Sequence, residues 1–407
     1  MKRILAAMLA ALTVFSTAGC AKPDNSTEPA APDQQVEPAP TVPQEPVLTP
    51  EEQAEQERLA AEQAREKRLQ TLLDSMTLEE KVGQLFFVRC PTENAVEDIS
   101  TYHLGGYLLF GRDFKDGDSW LTKEQFLEKI QGYQDAAEIP LFIGSDEEGG
   151  TVTRASRNPN LFSEPFKSPQ AIYSAGGMKA LAQDALDKSQ SLLDLGINVN
   201  FAPVCDVSTN PGDFIYDRTL GQDTETTADY ITRTVLTMGD AGEMAVLKHF
   251  PGYGNNADTH TGIAVDDRPM ETFENSDLLP FKAGIEADAP FVLVSHNIVN
   301  CMDPDLPASL SPAVHKVLRE ECGFDGIAIT DDLAMDAVQA YAKDGAVAVM
   351  ALQAGNDMVI TTDYRTQIPA VIEAVKNGTL EESVIDSACF RVLKCKDAHM
   401  YIPALDS

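Results

Sequence analysis

One short, glycine-rich stretch carries several side chains that can do chemistry. Lys248 and His249 end an apolar run, and Asp258 and His260 follow shortly afterwards on a loop flanked by glycines. A carboxylate beside an imidazole can orient one ring nitrogen and leave the other free to exchange a proton with a substrate near neutral pH. The spacing therefore predicts a site for general acid–base chemistry. A turn whose polar groups only satisfy one another is the simpler alternative.

Four other apolar runs also stop on polar side chains. The polar residues that end them are Asp146 with Glu147 and Glu148, Asp206, Ser295 with His296, and Asp331 with Asp332. Short apolar runs are typical of buried parallel strands, and the carboxyl ends of such strands carry the functional site in open sheets and in barrels. The repetition favours one shared site over an isolated polar turn.

Eight apolar runs follow one another along the chain, with helical patterns between most of them. The runs are 85–88, 106–110, 140–143, 198–201, 244–247, 291–294, 327–330 and 357–360, and the clearest helical patterns are 123–137, 179–195, 226–241 and 336–354. This alternation predicts an α/β protein whose single catalytic domain is a (β/α)8 TIM-type barrel. A doubly wound open sheet is the alternative, but no glycine-rich phosphate-binding fingerprint follows the first run.

The first residues are similar to an export signal. Lys2 and Arg3 precede an apolar segment over residues 4–15, and small residues lead to Cys20. The apolar segment is too short for an ordinary membrane span, and small residues before a cysteine resemble a bacterial lipoprotein signal. We expect residues 1–19 to be removed and Cys20 to be lipidated, with simple cleavage near Cys20 as the alternative. The protein would then be exported and held at the membrane only by a lipid, facing the cell wall.

The residues after Cys20 lack the apolar side chains that a core needs. Residues 20–50 are rich in Pro, Glu, Gln, Ala and Thr, which predicts a disordered tether. Residues 51–73 are dominated by Glu, Ala, Gln and Arg, which predicts a solvated helix. The barrel domain is expected to occupy residues 74–407.

The acidic composition restricts the class of ligand. The chain has 407 residues, enough for a large core, and a net charge of -33 from 64 acidic and 31 basic residues. Nucleic acids and other anionic polymers need basic patches, so this balance argues against them and favours a neutral small substrate. The seven cysteines show no C-x-x-C pair and no metal-ligand spacing, which favours neither a metal site nor a disulfide framework.

Taken together, the polar motifs resemble glycoside hydrolase family 3, in particular its single-domain β-N-acetylglucosaminidases. The matching motifs are Lys248-His249-Phe250-Pro251-Gly252-x-Gly254 with Asp258-x-His260, Asp146-x-Glu148-Gly149-Gly150, Asn200-Phe201-Ala202-Pro203-Val204-x-Asp206, Arg218-Thr219-Leu220-Gly221 and Thr330-Asp331-Asp332-Leu333-x-Met335. They occur in the family's order over residues 74–395. The chain departs from the family at Tyr253, where a His is usual, and we interpret Tyr253 as shaping the loop.

The resemblance implies a catalytic role for three residues. Asp331 would be the nucleophile, and His260, oriented by Asp258, would be the acid/base residue that replaces the usual second carboxylic acid. The alternative for Asp331 is the N-cap of a helix starting at Leu333, although Asp332 lies closer to that helix. Sites of this kind use no metal and no cofactor.

The resemblance also implies residues that bind the hydroxyl and acetamido groups of the sugar. They are Asp146, Arg154, Arg218, Lys248 and His249. Asp146 can accept two hydroxyl donors, while arginine and lysine supply donors to sugar oxygens. The alternative is that Arg154 and Arg218 are surface residues or form structural ion pairs.

The expected function is therefore that of a monomeric, retaining exo-β-N-acetylglucosaminidase acting on peptidoglycan fragments. Two other functions are open. A β-glucosidase or β-xylosidase of the same family is one, although such enzymes normally carry further domains and lack the Asp-x-His pair. A non-catalytic sugar-binding lipoprotein is the other, and Asp331 with the Asp258–His260 pair argues against it.

Overall fold

Eight parallel strands close into a barrel within residues 49–256, 264–341 and 347–405, the parts of the chain that this computed structural model describes. The strands are β1 (Phe86–Arg89), β2 (Gly106–Leu109), β3 (Phe142–Ser145), β4 (Val199–Asn200), β5 (Met244–Phe250), β6 (Phe291–Val294), β7 (Ile327–Asp332) and β8 (Met358–Thr361). Each pairs with its neighbours in sequence, and β8 returns to β1 through Val359 opposite Phe86. The predicted (β/α)8 barrel is confirmed, and the open-sheet alternative is wrong.

Helices precede, connect and follow the strands in the chain. They are α1 (Pro50–Ser75), α2 (Leu78–Gln84), α3 (Glu97–Tyr102), α4 (Lys123–Asp135), α5 (Pro169–Leu193), α6 (Thr224–Ala241), α7 (Met270–Thr272), α8 (Leu278–Glu286), α9 (Pro312–Lys316), α10 (Asp336–Gln339), α11 (Val347–Ala354), α12 (Tyr364–Lys376) and α13 (Glu382–His399). The single helix expected over 336–354 is wrong, because α10 ends at Gln339 and a turn follows it.

Local capping signals explain where several helices begin and end. The Thr77 side chain accepts the N–H of Glu80, whose carboxylate accepts the N–H of Thr77, and Thr122 and Gln125 repeat this arrangement at the start of α4. Such capping boxes satisfy backbone donors that the first helical turn leaves unpaired. Gly242 ends α6 with a φ of 92°, a left-handed conformation that glycine adopts without steric cost.

Phenylalanine rings fill the interior of the barrel. The Phe87 ring lies 6.0 Å from that of Phe142 and 5.3 Å from that of Phe201, and Phe142 meets Phe291 edge-on at 5.3 Å. Gly144 makes this packing possible, since a Cβ atom there would lie 2.6 Å from the Phe201 ring and 2.7 Å from the Phe87 ring. The barrel is therefore a packed core, and the functional site must lie at its ends.

Residues 56–407 form one compact unit, which contains the barrel. Residues 1–55 form the other unit, of which only 49–55 are described, so the predicted signal segment and nearly all of the tether lie outside the described residues. Within the larger unit, α1 buries Leu69 and Leu73 near its end. No helix in the described ranges combines the length and the hydropathy that crossing a bilayer would require.

Glu243 is a carboxyl group buried directly before β5. Its Oε2 atom accepts a hydrogen bond from the Ser189 hydroxyl at 2.6 Å, while Oε1 has no partner. Burial raises its pKa to about 7, against the opposing effects of Ser189 and the Lys188 charge. Between the usual value of 4.5 and about 7, the folded state holds a proton that the unfolded state has lost, so stability falls as pH rises through this window.

We expect Glu243→Gln to remove the loss of stability that occurs between pH 4.5 and about 7. The difference in unfolding free energy between variant and wild type should change by about 3 kcal/mol in favour of the variant from pH 4 to pH 8. Urea unfolding at a series of pH values measures it. Glu128→Gln, at an exposed position of α4, controls for the loss of one negative charge. A difference that stays constant with pH would contradict the prediction.

Candidate active site

The predicted site residues in the described part of the chain line one cavity at the carboxyl ends of the strands. It measures 570 Å³, and Asp331 lines it. All five predicted sugar-binding residues line it as well: Asp146, Arg154, Arg218, Lys248 and His249. The other predicted residues, Asp258, His260 and Cys20, lie outside the described residues.

Lys248 is the cation at the centre of the site. It is 2% exposed, and its Nζ lies 2.8 Å from an Asp146 oxygen and 2.5 Å from a Glu148 oxygen. Lys248 lies in strand β5, and the pairing of β5 with β6 shifts register between Leu247 and Phe250, the segment that contains Lys248 and His249. The irregular strand end thus turns consecutive polar side chains towards one cavity.

Glu148 joins Lys248 to a second cation. Its carboxylate accepts two hydrogen bonds from the Arg218 guanidinium, at 2.9 and 2.7 Å. Burial by itself would raise the pKa of Glu148, but the charges of Lys248 and Arg218 outweigh it and hold that pKa well below its usual range. The carboxylate therefore stays ionised and fixes both cations. Sequence reasoning quoted Glu148 only as part of a motif, and its place beside Asp146 was the available signal.

The hydrogen bonds of His249 define which of its nitrogens carries the proton. Nε2 lies 2.9 Å from an Arg218 nitrogen, and Nδ1 lies 2.8 Å from an Asp206 oxygen. Since a guanidinium only donates, Nε2 accepts and Nδ1 donates to the carboxylate. Asp206 thus orients the His249 ring. Sequence reasoning did not assign Asp206 a role, although it follows an apolar run.

Tyr253, where the sequence departs from the resembled motif, packs beside His249 and Asp206. Its backbone N–H donates to Asp206 at 2.7 Å, and its ring meets the His249 ring edge-on at 5.2 Å. The side chain is 2% exposed and also contacts Phe214, with ring centroids 6.0 Å apart. Tyr253 therefore supports the imidazole from the side and forms part of the cavity wall.

A buried carboxylate, Glu147, holds the loop that carries Arg154. It accepts hydrogen bonds from the backbone N–H of Arg154 at 2.6 Å and from the Ser156 hydroxyl at 2.9 Å, as well as from the N–H of Ala155. Burial raises the pKa of Glu147 against these hydrogen bonds. The loop places an Arg154 guanidinium nitrogen 3.5 Å from Asp146, so this arginine faces the same carboxylate as Lys248.

Asp331 lies at the end of β7, next to a set of hydrogen bonds that fix its neighbour. The Asp332 carboxylate accepts hydrogen bonds from the Ala334 N–H at 2.9 Å and from the Thr362 hydroxyl at 3.1 Å. The backbone carbonyl oxygen of Asp332 lies 3.1 Å from Nε2 of His296. No helix begins at Leu333, so the predicted capping alternative for Asp331 is wrong. Asp332 instead stabilises a turn, which leaves Asp331 at the cavity wall.

A metal-like arrangement exists among the described residues, but at the other end of the barrel. Glu80, His103 and Glu138 have ligand atoms within 4.8 Å of one another. They precede β1, β2 and β3 in sequence, whereas the cavity lies beyond the carboxyl ends of the strands. The site itself offers a buried network of opposite charges around a 570 Å³ space, suited to a polar, uncharged ring with hydroxyl groups and to nucleophilic attack by Asp331.

We expect Glu148→Gln to destabilise the protein by about 3 to 5 kcal/mol at neutral pH, because two buried cations lose their shared counter-charge. The pKa of Glu148 lies below its unfolded value, so its contribution is present above about pH 4.5 and is lost as pH falls below that. The difference in unfolding free energy between variant and wild type should therefore become smaller in acid. Urea unfolding measures it. Asp229→Asn, which breaks an exposed pair with Arg233 at 2.8 Å, should cost less than about 1 kcal/mol. Equal costs for the two variants would contradict this assignment.

Sequence comparison places these residues in a known family. The Glycosyl hydrolase family 3 N terminal domain matches residues 77–395. The chain is 31% identical over 330 residues to Beta-hexosaminidase LpqI of Mycobacterium tuberculosis, covering 78% of this chain and 82% of LpqI. It is 32% identical over 261 residues to a Beta-hexosaminidase of Xylella fastidiosa, covering 63% of this chain and 76% of that protein.

Structure comparison agrees. A glycoside hydrolase family 3 beta-N-acetylglucosaminidase from Paenibacillus sp. superposes with a TM-score of 0.73 at 30% identity, over 82% of this chain and 64% of that one, so our chain spans just under two thirds of its length. The structure of M tuberculosis LpqI gives a TM-score of 0.70 at 30% identity, over 79% and 94%. The resemblance read from the motifs is confirmed at the level of the family. The chain therefore belongs to glycosyl hydrolase family 3 and is a glycoside hydrolase.

Proposed function

We propose that this protein is a retaining exo-β-N-acetylglucosaminidase that releases terminal N-acetylglucosamine from peptidoglycan fragments or related β-glycosides. One observation carries the proposal. Asp331 lines the same cavity as the network of Asp146, Lys248 and His249, so a nucleophilic carboxylate faces donors and acceptors that suit sugar hydroxyls. The relatives of known structure or curated activity, which are named as β-hexosaminidases or β-N-acetylglucosaminidases, support the acetamido sugar.

The reaction would proceed in two steps. Asp331 attacks the anomeric carbon while His260 gives its proton to the glycosidic oxygen, so that the carbon–oxygen bond breaks and the aglycone leaves as an alcohol. Water then attacks the same carbon and passes a proton to His260, which restores the Asp331 carboxylate. Asp258 would hold the imidazole throughout. Both steps invert the anomeric carbon, and the product retains the configuration of the substrate.

Sugar binding would be divided between neighbouring side chains. Asp146 would accept hydroxyl protons, because each of its oxygens keeps a lone pair beside Lys248 and Arg154. Arg218 and His249 would complete the set, held at their distances by Glu148 and Asp206. Fixed donors of this kind bind a transition state without first having to reorganise.

The decisive experiment is a panel of nitrophenyl β-glycosides. N-Acetylglucosaminide should be turned over at a kcat/KM at least about 100-fold above those of the glucoside and the xyloside. Proton NMR of the first product should show the β-anomer. Preferred turnover of glucoside or xyloside would make the protein another activity of the family, and binding of N-acetylglucosamine with no turnover would make it a sugar-binding protein.

We also propose that the protein is an exported lipoprotein anchored through Cys20. The support is the signal-like segment over residues 1–19 and the Pro- and Glu-rich tether that follows it. Deleting residues 1–50 should leave a folded enzyme with kcat/KM within about twofold of the full chain, since a disordered tether adds nothing to a barrel core. Fatty-acid labelling that disappears in Cys20→Ala tests the anchor. A folded but inactive truncated protein would contradict the tether assignment.

A further inference from the structure

Arg268 is a cation outside the active-site cavity that bridges two buried carboxylates. Its guanidinium donates to Asp266 through Nε at 3.0 Å and through a terminal nitrogen at 2.7 Å, and to the two oxygens of Asp277 at 2.9 and 3.0 Å. Asp266 and Asp277 are 1% and 2% exposed. The guanidinium carbon also lies 4.4 Å from the centroid of the Phe273 ring. A planar guanidinium paired on two sides is held in one orientation.

The same guanidinium contacts the chain just before the segment 257–263. It donates to the Gly252 carbonyl oxygen at 3.4 Å, and Gly254 packs so closely that a Cβ atom there would lie 2.6 Å from both terminal nitrogens. The Asn256 side-chain amide donates to the Asp266 carboxylate at 2.7 Å. The residues on the amino side of the segment are therefore tied to the arginine and to its carboxylate partner.

The residues just after the segment are fixed to the barrel. Val265–Asp266 pairs in parallel with Ile298–Val299, which follows β6, and the N–H of Ile298 donates to the Ala264 carbonyl oxygen at 2.9 Å. Asp277, the second carboxylate partner of the arginine, lies directly before α8, and α8 packs against β5. The two ends of the segment thus meet at one guanidinium that is itself anchored to the scaffold.

We propose that Arg268 is a positioning residue for the general acid. By joining both ends of the segment 257–263 to Asp277, it fixes the base from which Asp258 and His260 reach the glycosidic oxygen. This inference rests on the proposed function, in which His260 is the proton donor. Proton transfer needs hydrogen-bond distance in the transition state, and a displacement of about 1 Å can lower a rate by about 10²-fold. Arg268 acts through His260 and does not touch the reacting atoms.

Arg319 offers a matched control at the opposite end of the barrel. Its side chain is 22% exposed, as is that of Arg268. It pairs with the buried carboxylate of Asp357 at 2.5 Å, and its guanidinium carbon lies 5.2 Å from the Phe324 ring. Asp357 lies directly before β8, at the amino ends of the strands. Arg319 therefore has the same burial and the same kinds of neighbour as Arg268, but it lies far from the site.

The test compares two substrates in the full-length protein. N,N'-Diacetylchitobiose has a poor leaving group, whereas the dinitrophenyl glycoside of N-acetylglucosamine needs little protonation. In Arg268→Gln, kcat/KM should fall by about 10- to 100-fold for the disaccharide and by less than about threefold for the activated glycoside. Arg268→Lys should recover part of the loss, because it keeps the charge but not the fork. Arg319→Gln should leave the ratio of the two kcat/KM values within about twofold. Circular dichroism and urea unfolding check the fold of each variant.

Two further variants separate positioning from stability. Asn256→Ala removes the amide link to Asp266 and leaves both ion pairs of Arg268 in place, so it should lower kcat/KM for the disaccharide by about 3- to 10-fold and spare the activated glycoside. In the double variant of His260→Ala with Arg268→Gln, kcat/KM for the disaccharide should stay within about threefold of that of His260→Ala alone. A residue that acts through His260 has nothing left to position once the imidazole is gone.

The outcomes separate this inference from the proposed function. Turnover of nitrophenyl N-acetylglucosaminide by wild type supports the proposed function whatever the variants do, and its absence would overturn both. If that turnover is present and the Arg268 and Asn256 variants lower both substrates equally, or if the losses multiply in the double variant, Arg268 only stabilises the fold and this inference alone is overturned. If Arg268→Gln does not fold, Asn256→Ala decides by the same criterion.

Discussion

Replacing Asp331 by Asn is expected to lower kcat by about 10⁴-fold or more for every substrate, with no loss of folding. The reaction loses its nucleophile, because an amide cannot form the glycosyl ester. Folding should persist because Asp331 lies at the cavity wall, and the hydrogen bond that its Oδ1 accepts from the Asp332 N–H at 2.8 Å can be kept by the amide oxygen. Steady-state kinetics with nitrophenyl N-acetylglucosaminide measure the loss, and circular dichroism with urea unfolding verifies the fold.

Two further results bear on the role of Asp331. A fluorinated sugar that traps the covalent intermediate should label the peptide containing Asp331, as identified by mass spectrometry. Asp305→Asn removes an exposed carboxylate elsewhere on the surface and should leave kcat within about twofold. A well-folded Asp331→Asn protein with a rate near that of wild type would show that another group is the nucleophile, and labelling of a different residue would identify it.

Replacing His260 by Ala should have a large effect that depends on the leaving group. For substrates with poor leaving groups, such as a disaccharide, we expect kcat/KM to fall by about 10² to 10⁴-fold, the usual contribution of a positioned general acid. An activated leaving group such as dinitrophenolate needs little protonation, so the rate of the first step with such substrates should fall far less. A Brønsted plot across substituted phenyl glycosides should therefore become steeper in the variant.

The second step gives a separate test of His260. When the acceptor attacks the glycosyl-enzyme, a neutral imidazole does not repel an anion as an ionised carboxylate would. In His260→Ala the imidazole is gone, so azide or formate can occupy its place and attack the glycosyl-enzyme; either anion should therefore partly restore turnover of the activated substrate and yield the glycosyl adduct. Thr259→Ala, a change at the neighbouring position that removes no titratable group, is the matched control and should show neither effect. Equal losses for both leaving-group classes without rescue would mean that His260 is not the proton donor.

The sequence by itself determined the fold and the location of the site. Apolar runs alternating with helical patterns predict parallel strands between helices, and each predicted run overlaps one strand of the barrel. Polar residues directly after those runs, such as Asp146 and Asp331, had to meet at one end, because parallel strands bring their carboxyl ends together. These inferences depend only on local periodicity and on the shared direction of the strands. Helix boundaries were less secure, as α10 and α11 show, because tertiary contacts and turns decide where a helix stops.

Only the tertiary structure decided how the polar side chains pair. Glu148 binds Lys248 and Arg218, which lie 100 and 70 positions away in the chain, and Asp206 orients His249 from another strand end. Arg89, at the end of β1, shows no feature in sequence beyond its place after an apolar run, and the stacking of its guanidinium on the Phe110 ring is visible only in the folded structure. Periodicity reports which face of a strand is buried. Pairing, charge balance and the choice of tautomer depend on distances between residues far apart in sequence, which the local pattern does not contain.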